Sequence, residues 1–175
     1  MQGADERERF EKAVLPHLDA AYNLARWLTR DDHAAEDLVQ AAYLRALKFF
    51  GGFRGANSRA WLLTIVRNTC YTWIEQKRAR GQETAFDEEI HGVESSAMGP
   101  ASRVLREEDE QSVRRAVEDL PAELREVVVL RELEGLSYKE IAAIAGIPMG
   151  TVMSRLARAR DRLRERLGGC GNWGL

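Results

Sequence analysis

The twenty residues from Pro148 to Leu167 hold six arginines against one aspartate and one glutamate, in a 175-residue chain whose formal net charge is −2. Along this stretch Val152, Leu156, Ala159 and Leu163 recur at i, i+4, i+7 and i+11, the spacing of a buried helical stripe. The opposite face presents Thr151, Ser154, Arg155, Arg158 and Arg162. Guanidinium and hydroxyl groups in that pattern suit phosphates and base edges of duplex DNA. A second set lies earlier. Arg54, Asn57, Ser58 and Arg59 sit in or beside a glycine-rich loop, Gly51 to Asn57, and Arg67 and Asn68 follow on a helical stretch. Two guanidiniums, a side-chain amide and the nearby Phe53 and Trp61 suit unpaired bases, which are stacked and hydrogen-bonded on their exposed edges. The helical spacing of Trp61 and Phe53 equally suits a core role.

The elements that must hold these residues are legible as helices. Ser137 is a good N-cap with Glu140 three residues on, the spacing of a capping box. Ile141, Ala142 and Ala145 give the following helix a small apolar face, and Gly146 ends it. Pro148 prevents an early restart, and the arginine-bearing helix opens at Gly150 and Thr151. A short helix, a glycine-bearing turn and a basic second helix predict a helix-turn-helix. Upstream, the spacing predicts helices over 5–30, 34–50, 58–80, 101–120 and 122–134, with no strand pattern and no internal repeat. Residues 82–100 show no sustained period and read as a flexible linker.

Charge follows the same division. Lys48 to Arg80 holds seven basic residues and one acid, whereas Gln82 to Ser112 holds nine acids and two arginines. Two basic blocks separated by an acidic one predict two nucleic-acid-facing surfaces joined by a solvated connector. The first ten residues are charged and no apolar run approaches a membrane span, which predicts a cytoplasmic protein. Cys70 falls within a helical pattern, as a small core residue would, and Cys170 in a glycine-rich tail. His17, His33 and His91 are scattered, no phosphate-cradling loop or nucleophile elbow occurs, and no catalytic residue, metal site or cofactor is expected.

Two motif sets resemble the extracytoplasmic-function sigma factors, the smallest bacterial sigma factors. Asp37-Leu38-Val39-Gln40 with Ala42-Tyr43, Phe53-Arg54-Gly55, Trp61-Leu62 and Ile65-Val66-Arg67-Asn68 are similar to their region 2. Leu120-Pro121, Glu126-Val127, Leu130-Arg131, Glu134 to Tyr138, Glu140-Ile141-Ala142 and Gly150 to Arg160 are similar to their region 4. The resemblance implies an all-α chain of two small helical domains without a region 3. These are a region 2 bundle over 1–81 and a region 4 helix-turn-helix over 112–168, joined by a flexible acidic linker over 82–111 and followed by a tail over 169–175. It implies that Asp37, Leu38, Val39 and Gln40 dock on the β′ clamp coiled coil of core RNA polymerase, with the β flap as a further contact. Arg54, Asn57, Ser58, Arg59, Arg67 and Asn68 would take the melted −10 strand. Thr151, Met153, Ser154, Arg155, Arg158 and Arg162 would read the −35 duplex. An anti-sigma factor, membrane-anchored in many cases, would hold the protein inactive at the inner membrane. No small-molecule substrate is implied. Two positions depart from the family: Ala41 where Glu is usual, and Met153 where many members carry Lys or Arg. Two other readings use fewer of these residues. A helix-turn-helix regulator acting without polymerase leaves the Asp37–Gln40 and Arg54–Asn68 motifs idle, and a sigma mimic that titrates an anti-sigma factor usually carries a receiver domain.

Overall fold

The structure, a computed structural model, describes residues 2–81 and 101–168. Most of the expected linker and the 169–175 tail with Cys170 lie outside them. The described residues contain helices and turns and no strand. The N-terminal half is a bundle of α1 (Gln2–Val14), α2 (Leu18–Thr29), α3 (Asp32–Phe49) and α4 (Ser58–Gly81). The C-terminal half comprises α5 (Ala101–Glu118), α6 (Ala122–Val128), α7 (Tyr138–Ala145) and α8 (Met149–Arg166).

The single helix expected over 5–30 is divided. Pro16 lies in a 3-10 turn, Leu15–His17, that separates α1 from α2. Proline lacks the amide hydrogen and its ring crowds the preceding turn, so a continuous helix is excluded there. α2 then closes on Arg30 in the left-handed conformation at φ 58°, and Asp31 caps α3 by accepting from the Ala34 amide at 3.0 Å. Phe10, Val14, Leu24, Leu28, Leu62, Leu63 and Val66 fill the space between these helices, and the Cys70 thiol is buried among them. Burial pushes that thiol up to about 12.

The helix-turn-helix forms as its local signals dictate. Ser137 Oγ accepts from the Glu140 amide at 3.1 Å while Glu140 accepts from the Ser137 amide at 2.9 Å. Gly146 ends α7 at φ 67°, a left-handed position where a side chain would be strained. Val152, Leu156, Ala159 and Leu163 are all buried, and Ile144 joins Ile141 and Ala145 beneath them. α6 runs into a π-helical turn, Val129–Leu133. The two halves pack together: their buried residues form one continuous apolar cluster.

Candidate nucleic-acid interface

On α8 the exposed residues toward the N-terminus are Met149, Met153 and Ser154, with Arg158 and Arg162 on the following turns. Thr151 is half-buried. Arg155 differs from the expected open placement. Its side chain is only 16 % exposed and leans to Glu123 of α6 at 3.7 Å. The register that buries Leu156 brings its neighbour against α6, so Arg155 sits at the edge of the open face.

The second surface runs along the start of α4. Asn57 Oδ1 accepts from the Ala60 amide at 3.0 Å, which anchors the loop to the helix in the manner of an N-cap. Phe53 packs on Trp61 at 4.7 Å between ring centroids, and Phe50 lies against both. These rings are partly core, which fixes the loop. Arg54 is exposed and donates to the Gly51 carbonyl at 3.0 Å. Ser58 lies 3.4 Å from His17 Nε2, and burial together with the Arg59 charge holds that imidazole below its usual value. Asn68 is exposed.

Three residues of this set, Asn57 among them, meet the C-terminal half. Arg59 donates to the Glu134 carbonyl at 2.6 Å and to its carboxylate at 3.0 Å. Asn57 Nδ2 donates to Glu140 at 3.2 Å. Arg67 Nε donates to Glu126 at 2.6 Å, its guanidinium 3.9 Å above the Tyr71 ring, and the Tyr71 hydroxyl donates to the other Glu126 oxygen at 2.8 Å. Burial opposes the charge on Arg67, but the Glu126 hydrogen bond and charge outweigh it, so the guanidinium is held above its usual value. Burial also raises Tyr71, which remains a neutral donor.

A further seam contact lies behind α4. Arg125, buried, donates to the Glu118, Leu120 and Leu28 carbonyls, and Arg30 reaches the Glu118 carbonyl at 3.3 Å. Burial and the like charge of Arg30 lower Arg125 to about 10. Sequence reasoning missed Glu126, Glu134 and Tyr71 as members of the site. The available signal was an acid, Glu126, embedded in the apolar run Leu124 to Leu130.

On α3, Asp37, Gln40 and Ala41 are exposed, while Leu38 and Val39 are half-buried against the core. Leu44, on the same helical stripe as Asp37 and Gln40, is 59 % exposed. Among the described residues no group of His, Cys, Asp or Glu could hold a metal ion.

The sigma-70 region 2 family matches residues 13–80 and the sigma-70 region 4 family matches residues 110–163. The chain is 32 % identical to the RNA polymerase sigma-H factor of Pseudomonas aeruginosa over 95 % of this chain and 90 % of that protein. It is 37 % identical to the ECF RNA polymerase sigma-E factor of Escherichia coli over 75 % of this chain and 72 % of that one. Among solved structures, the sigma factor RpoE of Bartonella quintana, crystallised with the anti-sigma factor NepR, superposes with a TM-score of 0.75 at 32 % identity, covering 94 % of this chain and 99 % of that one. CnrH, solved with the cytosolic domain of CnrY, shares the fold with a TM-score of 0.65, covering 94 % of this chain and 91 % of that one, at 24 % identity. The expected all-helical pair of sigma domains is therefore present, and the chain belongs to the extracytoplasmic-function sigma factors: a non-enzymatic initiation factor that directs RNA polymerase to promoters.

Proposed function

We propose that this sigma factor divides promoter recognition between the two faces described above. The exposed Met153, Ser154, Arg158 and Arg162 of α8 read and grip the −35 duplex, with Thr151 and Arg155 at the edges of that contact. Arg54, Asn57, Ser58, Arg59, Arg67 and Asn68 hold the melted −10 strand. Asp37, Gln40 and Leu44 on α3 dock on the β′ clamp, with Leu38 and Val39 setting the helix against its core. The β flap receives the region 4 half. The domain limits are those of the sequence reading, region 2 over 1–81 and region 4 over 112–168, with α5 carrying the chain into the second domain.

The observation that carries this reading is the partition of α8. One stripe is fully buried and the opposite stripe exposes two guanidiniums, a hydroxyl and a thioether. That is what a helix needs in order to enter a major groove without unpacking its domain. No helix of the described residues is long and apolar enough to cross a membrane. The protein acts in the cytoplasm, and an anti-sigma factor is its inhibitor, as NepR is the partner of the Bartonella RpoE. The complex is held at the inner membrane where that partner is itself membrane-anchored.

Run-off transcription with core polymerase tests the assignment. Wild type should start transcripts at its promoter, Arg54→Ala should impair melting with −35 binding intact, and Arg158→Ala should impair recruitment. Promoter binding by the protein alone, with no stimulation by core polymerase, would instead favour a simple helix-turn-helix regulator.

A further inference from the structure

We propose that the cleft behind α4, between the two halves, binds a small phosphorylated aromatic molecule of the nucleoside diphosphate or triphosphate class. None of its lining residues belongs to the promoter-reading faces proposed above. The site therefore adds a small-molecule ligand to the macromolecular partners.

The cleft encloses about 530 Å³, the size of a site for a small organic ligand. The end of α2 and the second half of α4 supply Arg30, Trp73, Lys77 and Arg78 to it. The opposite wall is the turn into α6, Asp119 to Ala122, together with Arg125. Four of the lining side chains are cations and one, Asp119, is an acid. Asp119 is paired with Arg166, which does not line the cleft. Glu118, its neighbour in the chain, sends its carboxylate to Arg114 at 3.4 Å. Both of these acids are thus engaged by cations outside the cleft.

Arg125 distinguishes this cleft from an ordinary basic surface. It is only 4 % exposed, and its partners among the described residues are all backbone carbonyls, those of Glu118, Leu120 and Leu28. A guanidinium has five N–H donors, so three bonds leave capacity unmet, and Nε has no partner among the described residues. Carbonyls satisfy donors without neutralising charge, and a buried charge without a counter-ion is unfavourable. Burial first, then the like charge of Arg30 with Arg78 adding to it, bring Arg125 down to about 10, and Tyr71 and Glu118 offset only part of this. A multivalent anion lying among Arg30, Lys77, Arg78 and Arg125 supplies the charge that the fold leaves out. Phosphate groups are suited to it, because guanidinium forms short, charge-assisted hydrogen bonds with their oxygens.

Trp73 indicates the second part of the ligand. It is half-buried, Lys77 Nζ lies 5.0 Å from its ring centroid, and Ile74 and Pro121 line the same cleft. A flat ring packs against this apolar wall while its phosphates reach the cations. An inorganic anion would leave the wall in water.

The test uses the full chain. A fluorescent methylanthraniloyl-ADP is titrated at fixed salt without magnesium, then displaced by ADP, pyrophosphate or adenosine. One ADP should bind per chain, pyrophosphate should bind more weakly, and adenosine should not bind. Lys77→Gln with Arg78→Gln, both at exposed positions, should weaken ADP about tenfold or more through the loss of two charge-assisted contacts, with circular dichroism reporting the fold. Trp73→Leu should weaken ADP toward pyrophosphate and leave pyrophosphate unchanged. Arg54→Ala and Arg158→Ala, which alter the proposed promoter faces, should bind ADP as wild type does. No ADP binding at millimolar concentration overturns the proposal. So does binding that Arg54→Ala or Arg158→Ala abolishes and the cleft variant keeps, since the anion then sits on a nucleic-acid face. Equal affinity for ADP and pyrophosphate, unchanged in Trp73→Leu, also overturns it and leaves an adventitious ion only. A chain with Glu83, Asp87, Glu88, Glu89 and Glu94 all changed to Gln is measured alongside. Binding confined to that chain overturns the proposal, because acids of the protein itself then fill the cleft.

Discussion

Arg158 tests how α8 sits in its groove. The helix begins at Met149, and Arg158 lies nine residues further on, about 13 Å at 1.5 Å per residue. A major groove is about 12 Å wide. In the proposed −35 contact, with Met153 and Ser154 over the base edges, Arg158 falls at the far wall of the groove, where phosphates lie. Its side chain has no ion-pair partner among the described residues and is free to reach one. Loss of one phosphate contact lowers the slope of log K against log salt by about 0.9, so a fourfold rise in salt weakens wild type by about 3.5-fold more than Arg158→Ala. A base-edge contact behaves otherwise: about 1–3 kcal/mol is lost, concentrated at one base pair, and specificity there relaxes. The assay is a salt titration of −35 duplex binding by wild type and Arg158→Ala, on the cognate site and on single-base variants of it. The expected result is a shallower slope and an affinity loss of equal size on every duplex. An unchanged slope, with the loss confined to one base pair, would refute this placement of the helix.

Three further outcomes follow from the local structure. Ser137→Ala removes half of the capping box and should cost about 1 kcal/mol, read as a lowered melting temperature. The Ser137 backbone hydrogen bond is the main cause that holds the Glu140 carboxyl below its usual value, so Glu140 contributes stability that is present above the ordinary carboxylate range and is lost as pH falls through its lowered folded value; Glu140→Gln should flatten that acid limb of the melting curve. In a Cys170→Ser background, Cys70 should resist iodoacetamide at pH 8, because its thiol is buried and pushed up to about 12, and should react once denaturant unfolds the bundle. Rapid labelling of the folded chain would contradict the packing of α4.

The parts of this structure written in short-range signals were legible. Ser137 and Glu140, Gly146 and the four-residue stripe of α8 each act within a few residues, so type and spacing were enough to place the helix-turn-helix. The Pro16 break is equally local, and the apolar pattern running through it concealed it, because a short 3-10 turn barely disturbs the face that Val14 and Ala21 share. Arg155 and Leu44 mark a different limit. Helical spacing assigns a face, but the neighbouring element decides whether that face is covered. α6 reaches Arg155 by way of Glu123, while no described helix covers Leu44.

What no local pattern could carry is the pairing across the seam. Arg59 and Glu134 are 75 positions apart, and Arg67 and Glu126 are 59 apart. From sequence, the cations read as nucleic-acid contacts, Glu140 as half of a capping box, and Glu126 and Glu134 as parts of the region 4 motifs. None of these readings pairs the acids with the cations. Glu126 is the exception that could have been found, since an acid inside a run of buried aliphatics must be matched by a cation somewhere in the chain. The only basic blocks of sufficient strength lie on α8 and on α3–α4. α8 belongs to the same domain and sends Arg155 to Glu123 and Arg160 to Glu132, which leaves the basic face of α4. The charge proposed to meet nucleic acid on region 2 is thus the charge that pairs with the acids of region 4 in this structure. A substitution aimed at the proposed strand role must be weighed for its effect on the pairing: Arg67→Ala also leaves Glu126 buried without its cation.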